Sequence, residues 1–271
     1  MKKYFKIQIE TSSSYEAELL IAELSEINFY AFEQENNSLN AYIDEADFHE
    51  EKLKEILPAE AFFTKNIIEE ENWNQQWESG IQPVIVNDFA AVRPSFHEAI
   101  PGVKHDLIIT PKMSFGTGHH ATTFLMIELM EAIRFQNKIV IDFGTGTAVL
   151  AILAEKCGSS KVIAIDNDKW SIDNALENLE ANKSQKISVQ ERGDLSGIET
   201  ADIVLANINL NVLKTNAASM KSLLKPASFL LISGFLIKDE KEILEVFEEK
   251  NLVKNCSKER GGWLAILFQK L

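Results

Sequence analysis

Between residues 138 and 250 the chain alternates short apolar runs with longer amphipathic segments, and this pattern constrains the fold more than any other feature of the sequence. The apolar runs are rich in Val, Ile and Leu, as expected of strands that are buried on both faces. The segments between them are long enough for helices, so the pattern predicts parallel strands joined by helical crossovers. The turn Gly261-Gly262 follows the last helix and indicates antiparallel strands at one edge. We therefore predict an α/β fold with a doubly wound, mostly parallel sheet.

The predicted elements of this larger domain, residues 81–271, alternate regularly after three short strands. The short strands are predicted at 84–86, 90–93 and 107–110. The later strands are predicted at 138–143, 161–166, 187–190, 203–206, 229–233, 252–256 and 264–269. The helices are predicted at 122–135, 148–157, 169–183, 213–224 (before Pro226) and 238–250.

The first 69 residues predict a separate small domain. Its strands are predicted at 4–10, 29–34, 39–43 and 62–69, and its helices at 14–27 and 48–57. The resulting order, β-α-β-β-α-β, is that of a ferredoxin-like α+β domain. Residues 70–80 predict a helical linker between the two domains, with Trp73 and Trp77 on one face.

The net charge of −14 is unevenly distributed and bears on the kind of partner. Residues 1–70 hold 16 Asp and Glu against 6 Lys, a net of −10, which leaves −4 for the rest. An acidic surface repels phosphate backbones and attracts basic partners, so we expect no direct binding of nucleic acid. A solvated acidic surface that only aids solubility would explain the charge equally well.

The cysteines indicate a reducing compartment, and the lengths of the apolar runs indicate a protein without a membrane span. Cys157 and Cys256 lie about a hundred residues apart and suit neither a disulfide framework nor a metal site. The first ten residues alternate like a strand, and no run approaches the roughly 20 apolar residues of a membrane span. We expect a soluble, cytoplasmic monomer without membrane association.

A glycine-rich turn is the strongest candidate for a ligand site. The strand 138–143 runs into Gly144-Thr145-Gly146-Thr147-Ala148 and then a helix. Glycines let the backbone approach a ligand that a Cβ would exclude, although a helix start without a ligand would also account for them. A dinucleotide fingerprint would need Gly at the position of Val149. Asp166 ends the next strand and can accept both hydroxyls of a ribose, so the pair predicts a nucleoside cofactor.

Two further strand ends carry polar side chains. Asp194 follows the strand 187–190 and could accept a hydrogen bond from an adenine amino group. Asn207 follows the strand 203–206, where an amide and a backbone carbonyl could accept hydrogen bonds from a substrate amine. A solvated turn would explain Asp194 equally well, and a turn or helix cap would explain Asn207.

The loop Phe115–Thr123 precedes a helix on the approach to the glycine-rich turn. It is predicted to be a mobile loop that closes over the cofactor, with the Thr123 hydroxyl facing it. His119 and His120 have no third ligand at a suitable spacing, so we expect no metal site.

Taken together, the segments Phe115–Thr123, Val140–Gly146, Ile165-Asp166 and Ala206–Ile208 resemble the PrmA family, whose members methylate the large-subunit ribosomal protein numbered eleven. The resemblance covers the whole chain. It implies a Rossmann-like class I methyltransferase domain, S-adenosyl-L-methionine as cofactor, and a small N-terminal domain that recognises the substrate. The acceptors implied are lysine side chains and an N-terminal α-amine. The resemblance implies that Thr123, Gly144, Asp166 and Asn207 bind the cofactor. The glycine-rich turn and the strand end at 190 add Gly146 and Asp194 to the residues predicted to bind it.

The chain departs from the family pattern at three positions. Ala148 stands where many members have a third glycine, Ala121 where Pro is common, and His119 where Thr is usual. No Asp, Glu or His in the motifs is an evident general base, so Asn207, which would position the amine, is the one catalytic candidate.

Other classes of function are compatible with parts of the sequence. A nucleic-acid N-methyltransferase usually has Asn/Asp-Pro-Pro-Tyr/Phe, whereas this chain has Asn207-Ile208-Asn209-Leu210 and an acidic surface. Val149 disfavours a nicotinamide dehydrogenase. A methyltransferase acting on another basic protein, or a binding protein without catalytic activity, would fit the same motifs.

Overall fold

The protein divides into two compact units. They are Met1–Gly80 and Ile81–Leu271. The computed structural model describes residues 3–35, 38–58, 61–69, 81–110, 112 and 115–271. The predicted linker helix at 70–80, with Trp73 and Trp77, lies outside these residues.

Among its described residues, the first unit contains a four-stranded sheet and two α-helices. The strands are β1 (Lys3–Glu10), β2 (Ala31–Glu35), β3 (Ser38–Asp44) and β4 (Phe63–Glu69), and the helices are α1 (Ser14–Ser25) and α2 (Glu50–Ile56). The sheet order is β2-β3-β1-β4, and every neighbouring pair is antiparallel. This topology agrees with the predicted ferredoxin-like unit.

Apolar residues at every second position of the strands explain why this sheet buries one face. Ile7 and Ile9 of β1 are buried in one apolar cluster with Leu39 of β3, Leu24 of α1 and Leu53 of α2. The intervening positions of β1 are less buried, which is the period of two expected for a strand covered on one side.

The second unit is organised around a seven-stranded sheet. Its strands are β8 (Ile139–Phe143), β9 (Lys161–Asp166), β10 (Ile187–Glu191), β11 (Ala201–Asn207), β12 (Leu224–Leu236), β13 (Leu252–Arg260) and β14 (Trp263–Lys270). Its helices are α3 (Ala121–Met130), α4 (Val149–Lys156), α5 (Lys169–Ala181), α6 (Leu210–Leu223) and α7 (Glu240–Phe247). A separate three-stranded sheet contains β5 (Val84–Val86), β6 (Ala90–Arg93) and β7 (His105–Ile108).

The strand order of the large sheet is β10-β9-β8-β11-β12-β14-β13. The first five strands are parallel, and β14 runs antiparallel to both β12 and β13. Successive residues of β8 belong to different apolar clusters: Val140 lies with Leu125 of α3, and Ile141 lies with Leu213 of α6. Helices therefore cover both faces, which confirms the predicted doubly wound fold and its antiparallel edge.

The predicted helices differ from the structure in their bounds, with examples at α3 and α6. The helix predicted at 122–135 ends at Met130 and is followed by a turn at residues 131–132. Ile133 and Phe135 lie beyond that turn and are buried, so their apolar character reflects core packing. The helix predicted at 213–224 begins at Leu210, because the Asn209 side chain caps it by accepting a hydrogen bond from the backbone N–H of Val212 at 3.1 Å.

No helix within the described residues is long and apolar enough to cross a membrane.

Candidate active site

A cavity of about 500 Å³ opens at the carboxyl ends of the parallel strands, and residues from five strand ends line it. Phe143, Asp166 and Asn207 are the last residues of β8, β9 and β11. Ligands of open α/β sheets bind in the crevice at this edge, and the volume lies in the usual range for a small-molecule site.

Gly144 and Gly146 line the cavity in the turn between β8 and α4. Gly144 has a φ of 77°, and a Cβ there would stand 2.1 Å from Cγ2 of Ile208. Gly146 has a φ of 53°, and a Cβ there would stand 2.3 Å from the carbonyl oxygen of Phe115. Both positions therefore require glycine for backbone conformation and for space.

Ala148 adopts the left-handed conformation at the start of α4. Its φ is 63°, and its side chain is fully buried. An alanine thus occupies a position whose backbone conformation favours glycine.

The carboxylate of Asp166 is held in place by backbone N–H groups. Gly146 N donates to its Oδ2 at 2.8 Å, and Asp168 N donates to its Oδ1 at 3.0 Å. Each carboxylate oxygen can accept a second hydrogen bond, so two acceptor positions remain for a pair of neighbouring hydroxyls. This is the geometry that the ribose interpretation requires.

Asp194 does not line the cavity, unlike its neighbours Arg192 and Gly193. Its carboxylate accepts hydrogen bonds from Arg192 Nη2 at 2.6 Å and from Ser196 N at 2.9 Å, and its side chain is 63% exposed. The structure therefore does not bring this predicted site residue to the lining. No motif pointed to Arg192, whose side chain turns back to Asp194 and the carbonyl of Ser196.

Asn207 lines the cavity, and one of the two polar atoms of its side-chain amide has a hydrogen-bond partner. Its Nδ2 donates to Oγ1 of Thr123 at 3.3 Å, whereas its Oδ1 is buried and has no hydrogen-bond partner. Thr123 is itself fully buried and is not among the lining residues, so its contact with the site runs through Asn207. The bond fixes the orientation of the amide, and the buried Oδ1 is left able to accept a hydrogen bond from a ligand.

Thr147 ties the loop before α3 to the glycine-rich turn. Its backbone N–H donates to the carbonyl of Phe115 at 3.0 Å, and its Oγ1 donates to the carbonyl of Gly116 at 2.7 Å. Asn178 of α5 donates in turn to the carbonyl of Thr147 at 3.0 Å. The loop predicted to close over the cofactor is thus packed on the turn in this structure.

Further lining residues come from segments that the sequence patterns did not single out. Gly234 interrupts the β12–β14 register, and a Cβ there would stand 2.1 Å from the carbonyl oxygen of Ile208. Trp263 begins β14 and contacts His120 edge to face, with ring centroids 4.8 Å apart. Only the strand order brings these residues to the site, so local patterns could not reveal them.

Asp142 lies beneath the turn and is 1% exposed. Its Oδ2 accepts a hydrogen bond from Thr145 Oγ1 at 2.6 Å. Burial raises the pKa of this carboxyl to about 7, although the bond from Thr145 works in the opposite direction.

Neither cysteine lines the cavity, and both are free thiols. Burial raises the pKa of the Cys157 thiol to about 12. Among the described residues, no group of three or more His, Cys, Asp or Glu side chains could hold a metal ion.

The chain matches the model of the family described as ribosomal protein L11 methyltransferase (PrmA) over residues 3–271. A ribosomal protein L11 methyltransferase of Bacteroides fragilis is 35% identical over 98% of this chain and 99% of its own length. A protein of the same description from Porphyromonas gingivalis is 37% identical over 93% of this chain and 90% of its own length.

A solved structure shares the fold. The crystal structure of a ribosomal protein L11 methylase from Lactobacillus delbrueckii subsp. bulgaricus has a TM-score of 0.65 and 23% sequence identity, and the match covers 70% of this chain and 99% of that one.

Proposed function

The chain belongs to the PrmA family of ribosomal protein L11 methyltransferases, and from this premise we propose that it methylates amines of ribosomal protein L11 with S-adenosylmethionine as donor. The acceptors proposed are lysine side chains and the N-terminal α-amine. The observation that carries the proposal is Asn207, which combines an anchored Nδ2 with a buried, unpaired Oδ1 at the cavity.

The residues that line the cavity fit the cofactor. Asp166 keeps an acceptor position free on each carboxylate oxygen for the two ribose hydroxyls, and the turn lines the cavity at Gly144 and Gly146, which have no side chains. We propose that Gly144, Gly146, Asp166 and Asn207 bind the cofactor directly and that Thr123 acts by orienting Asn207. Asp194 would contribute by positioning Arg192 at the rim.

Asn207 would position the acceptor. An unpaired, buried carbonyl oxygen accepts a hydrogen bond from a neutral amine and so directs its lone pair. S-Adenosylmethionine supplies an activated sulfonium methyl, so the chain's own task is to position the amine and exclude water.

The acceptor must lose a proton before it reacts. A free lysine has a pKa of about 10.4, so its neutral form at pH 7 costs about 4.6 kcal/mol. Burial in the cavity disfavours the charged form and lowers that cost. No side chain is assigned as a general base.

We also propose that the first unit recognises the substrate. Its sequence carries a net charge of −10 over residues 1–70, which complements a basic ribosomal protein. The same charge disfavours RNA as the substrate.

Tritiated S-adenosylmethionine and a ribosomal extract that contains both protein and RNA test the proposal. We expect label in one small basic protein, no label in RNA, and loss of transfer with Asn207→Ala. Asp166→Ala should weaken cofactor binding in calorimetry, whereas Asp88→Ala, an exposed aspartate outside the cavity lining, should not. Label in RNA, or cofactor binding that Asp166→Ala leaves unchanged, would contradict the proposal.

A further inference from the structure

Three asparagines follow one another at intervals of four residues along α5. They are Asn174, Asn178 and Asn182, and the last of them is the C-cap residue of the helix. Residues four apart are neighbours on a helix surface, so the three amides form a row. Asn174 and Asn178 are 2% and 0% exposed, although asparagine is mostly an exposed residue in folded proteins. Amides buried in this way are expected to have specific hydrogen-bond partners.

The amide of Asn178 joins two segments that are distant in sequence. Its Oδ1 accepts a hydrogen bond from the backbone N–H of Thr110 at 2.9 Å, and its Nδ2 donates to the carbonyl of Thr147 at 3.0 Å. Nδ2 also donates to Oδ1 of Asn174 at 3.3 Å. A flipped amide would place its oxygen against two acceptor oxygens, so these bonds assign its orientation. One side chain thus connects the glycine-rich turn to Thr110, which lies five residues before the loop at Phe115.

The carbonyl held by Asn178 belongs to the peptide that joins Thr147 to Ala148. Ala148 has a φ of 63°, and no side chain caps α4 at this position. A residue in a sparsely populated conformation persists only where its surroundings fix it. The bond from Asn178 fixes the peptide plane that precedes Ala148, and so it supports the strained part of the turn.

The same turn holds the groups that are proposed to meet the cofactor. Gly146, next to Thr147, donates its backbone N–H to Oδ2 of Asp166 at 2.8 Å. Thr147 donates its own N–H and its Oγ1 hydroxyl to the carbonyls of Phe115 and Gly116. A rotation of the peptide after Thr147 would therefore disturb both the carboxylate of Asp166 and the loop packed on the turn.

We propose that Asn178 is a positioning residue for the cofactor, because its hold on the Thr147 carbonyl keeps Asp166 oriented toward the ribose hydroxyls. This inference rests on the proposed function. Asn178 is fully buried and is not among the residues that line the cavity, so it acts through Thr147 and Gly146 and not by contact. A primary amide offers a donor and an acceptor on one neutral planar group, whereas an aspartate offers acceptors alone.

Asn182 provides a matched control one turn further along the row. Its Oδ1 accepts from the backbone N–H of Ile108 at 3.0 Å, and its Nδ2 donates to the carbonyl of the same residue at 2.6 Å. Nδ2 also donates to the backbone carbonyl of Asn178 at 2.8 Å. These bonds have the same chemistry as those of Asn178, but they hold β7 and not the glycine-rich turn. Asn182→Asp therefore changes an equivalent clamp and leaves the Thr147 carbonyl with its donor.

Calorimetry with S-adenosylmethionine, together with urea unfolding, compares the wild type with Asn178→Asp and Asn182→Asp. We expect Asn178→Asp to raise the Kd of the cofactor about tenfold, because a carboxylate oxygen repels the Thr147 carbonyl, and Asn182→Asp to change it by less than about twofold. In steady-state kinetics Asn178→Asp should raise KM for the cofactor, while kcat at saturating cofactor stays within about twofold of the wild type. Lower pH should narrow the difference in Kd, since the protonated form of the introduced carboxyl can donate to that carbonyl.

Asn178→Ala removes the same bonds without introducing a buried charge, so it decides the matter where Asn178→Asp does not fold. We expect it to raise the Kd of the cofactor about fivefold, against less than about twofold for Asn182→Ala. An unchanged Kd in a folded Asn178 variant, or an equal rise in the paired Asn182 variant, overturns the inference. A wild type that does not bind S-adenosylmethionine, or an Asp166→Ala variant that binds it normally, overturns the proposed function instead.

Discussion

At the scale of single residues, Ala148 is a non-glycine residue that adopts the left-handed backbone conformation at the start of α4. A left-handed conformation costs a non-glycine residue about 1–2 kcal/mol. Ala148→Gly removes that cost but also loses a buried methyl, worth about 0.8 kcal/mol, and adds freedom to the unfolded chain. We expect its free energy of unfolding to stay within about 1 kcal/mol of the wild type.

Ala148→Val is the matched variant, because a β-branched residue tolerates positive φ poorly and the site is fully buried. We expect a loss of more than about 2 kcal/mol in urea unfolding. Equal effects of Gly and Val would show that packing, and not backbone conformation, selects alanine here.

The raised pKa of Asp142 predicts how the free energy of unfolding depends on pH. Its pKa in the folded protein, about 7, exceeds the ordinary value of 3.8, so the folded state binds the proton more tightly. The stabilisation is complete below the unfolded pKa and is lost as pH rises toward the folded pKa, with a slope of up to about 1.4 kcal/mol per unit.

The comparison with Asp142→Asn isolates this group. We expect the wild type to lose stability, relative to the variant, between about pH 4 and pH 7, as measured by urea unfolding of the cofactor-free protein. A constant difference between the two proteins across that range would contradict the assignment.

At the scale of elements, the bulge at Gly234 controls how closely β12 approaches the segment after β11. A Cβ at 234 would meet the carbonyl oxygen of Ile208, a backbone atom that cannot move alone. We expect Gly234→Ala to displace the segment next to Asn207, to cost about 2–3 kcal/mol and to weaken cofactor binding. Thermal unfolding and calorimetry measure the two effects.

Gly262→Ala is its control. Gly262 also has a positive φ, of 83°, but nothing lies within 4 Å of a Cβ there. We expect only the conformational cost of about 1 kcal/mol and unchanged cofactor affinity. Comparable losses of affinity in both variants would show that the close approach to Ile208 is irrelevant.

The elements themselves are largely predictable from the sequence, because apolar runs and caps act locally. The strand predicted at 161–166 has the same bounds in the structure, and both the parallel sheet and its antiparallel edge are confirmed. The predicted start of α6 is three residues late, because the capping role of Asn209 depends on a side-chain rotamer that the sequence does not specify. The strand predicted at 229–233 is too short, since β12 begins at Leu224 and includes Pro226.

Residues of the site can be predicted from the sequence only where they lie in a recognisable motif or at the end of a predicted strand. Gly144, Gly146, Asp166 and Asn207 line the cavity, and all four follow from strand ends in the sequence. Gly234 and Trp263 reach it through β12 and β14, whose neighbours depend on the order of strands in the finished sheet. That order is set by long-range packing, which local patterns do not encode.

At the scale of the whole molecule, the uneven charge predicts how substrate binding responds to salt. Attraction between an acidic first unit and a basic protein is screened as ionic strength rises. We expect KM for the ribosomal protein to increase between about 50 and 300 mM salt, while KM for the cofactor changes little. Steady-state kinetics in both substrates provides the measurement.

Charge-reversal variants test whether the first unit is the part of the protein that attracts the substrate. Glu18→Lys combined with Glu23→Lys changes exposed positions of α1 and should raise KM for the ribosomal protein. The matched control is Glu245→Lys, an exposed position of α7 in the second unit, combined with Glu242→Lys. A similar rise in both double variants would mean that total charge, and not the first unit, attracts the substrate.

The insertion of β14 between β12 and β13 has a consequence for biosynthesis. A ribosome makes β12 and then β13, yet the neighbour of β12 in the sheet is the later strand β14. Until residues 263–270 emerge, the outer edge of β12 has unpaired N–H and C=O groups, which favour association with other nascent chains. Trp263 arrives with the same strand, so a nascent chain that has not yet docked β14 has neither a complete sheet nor a complete cavity lining.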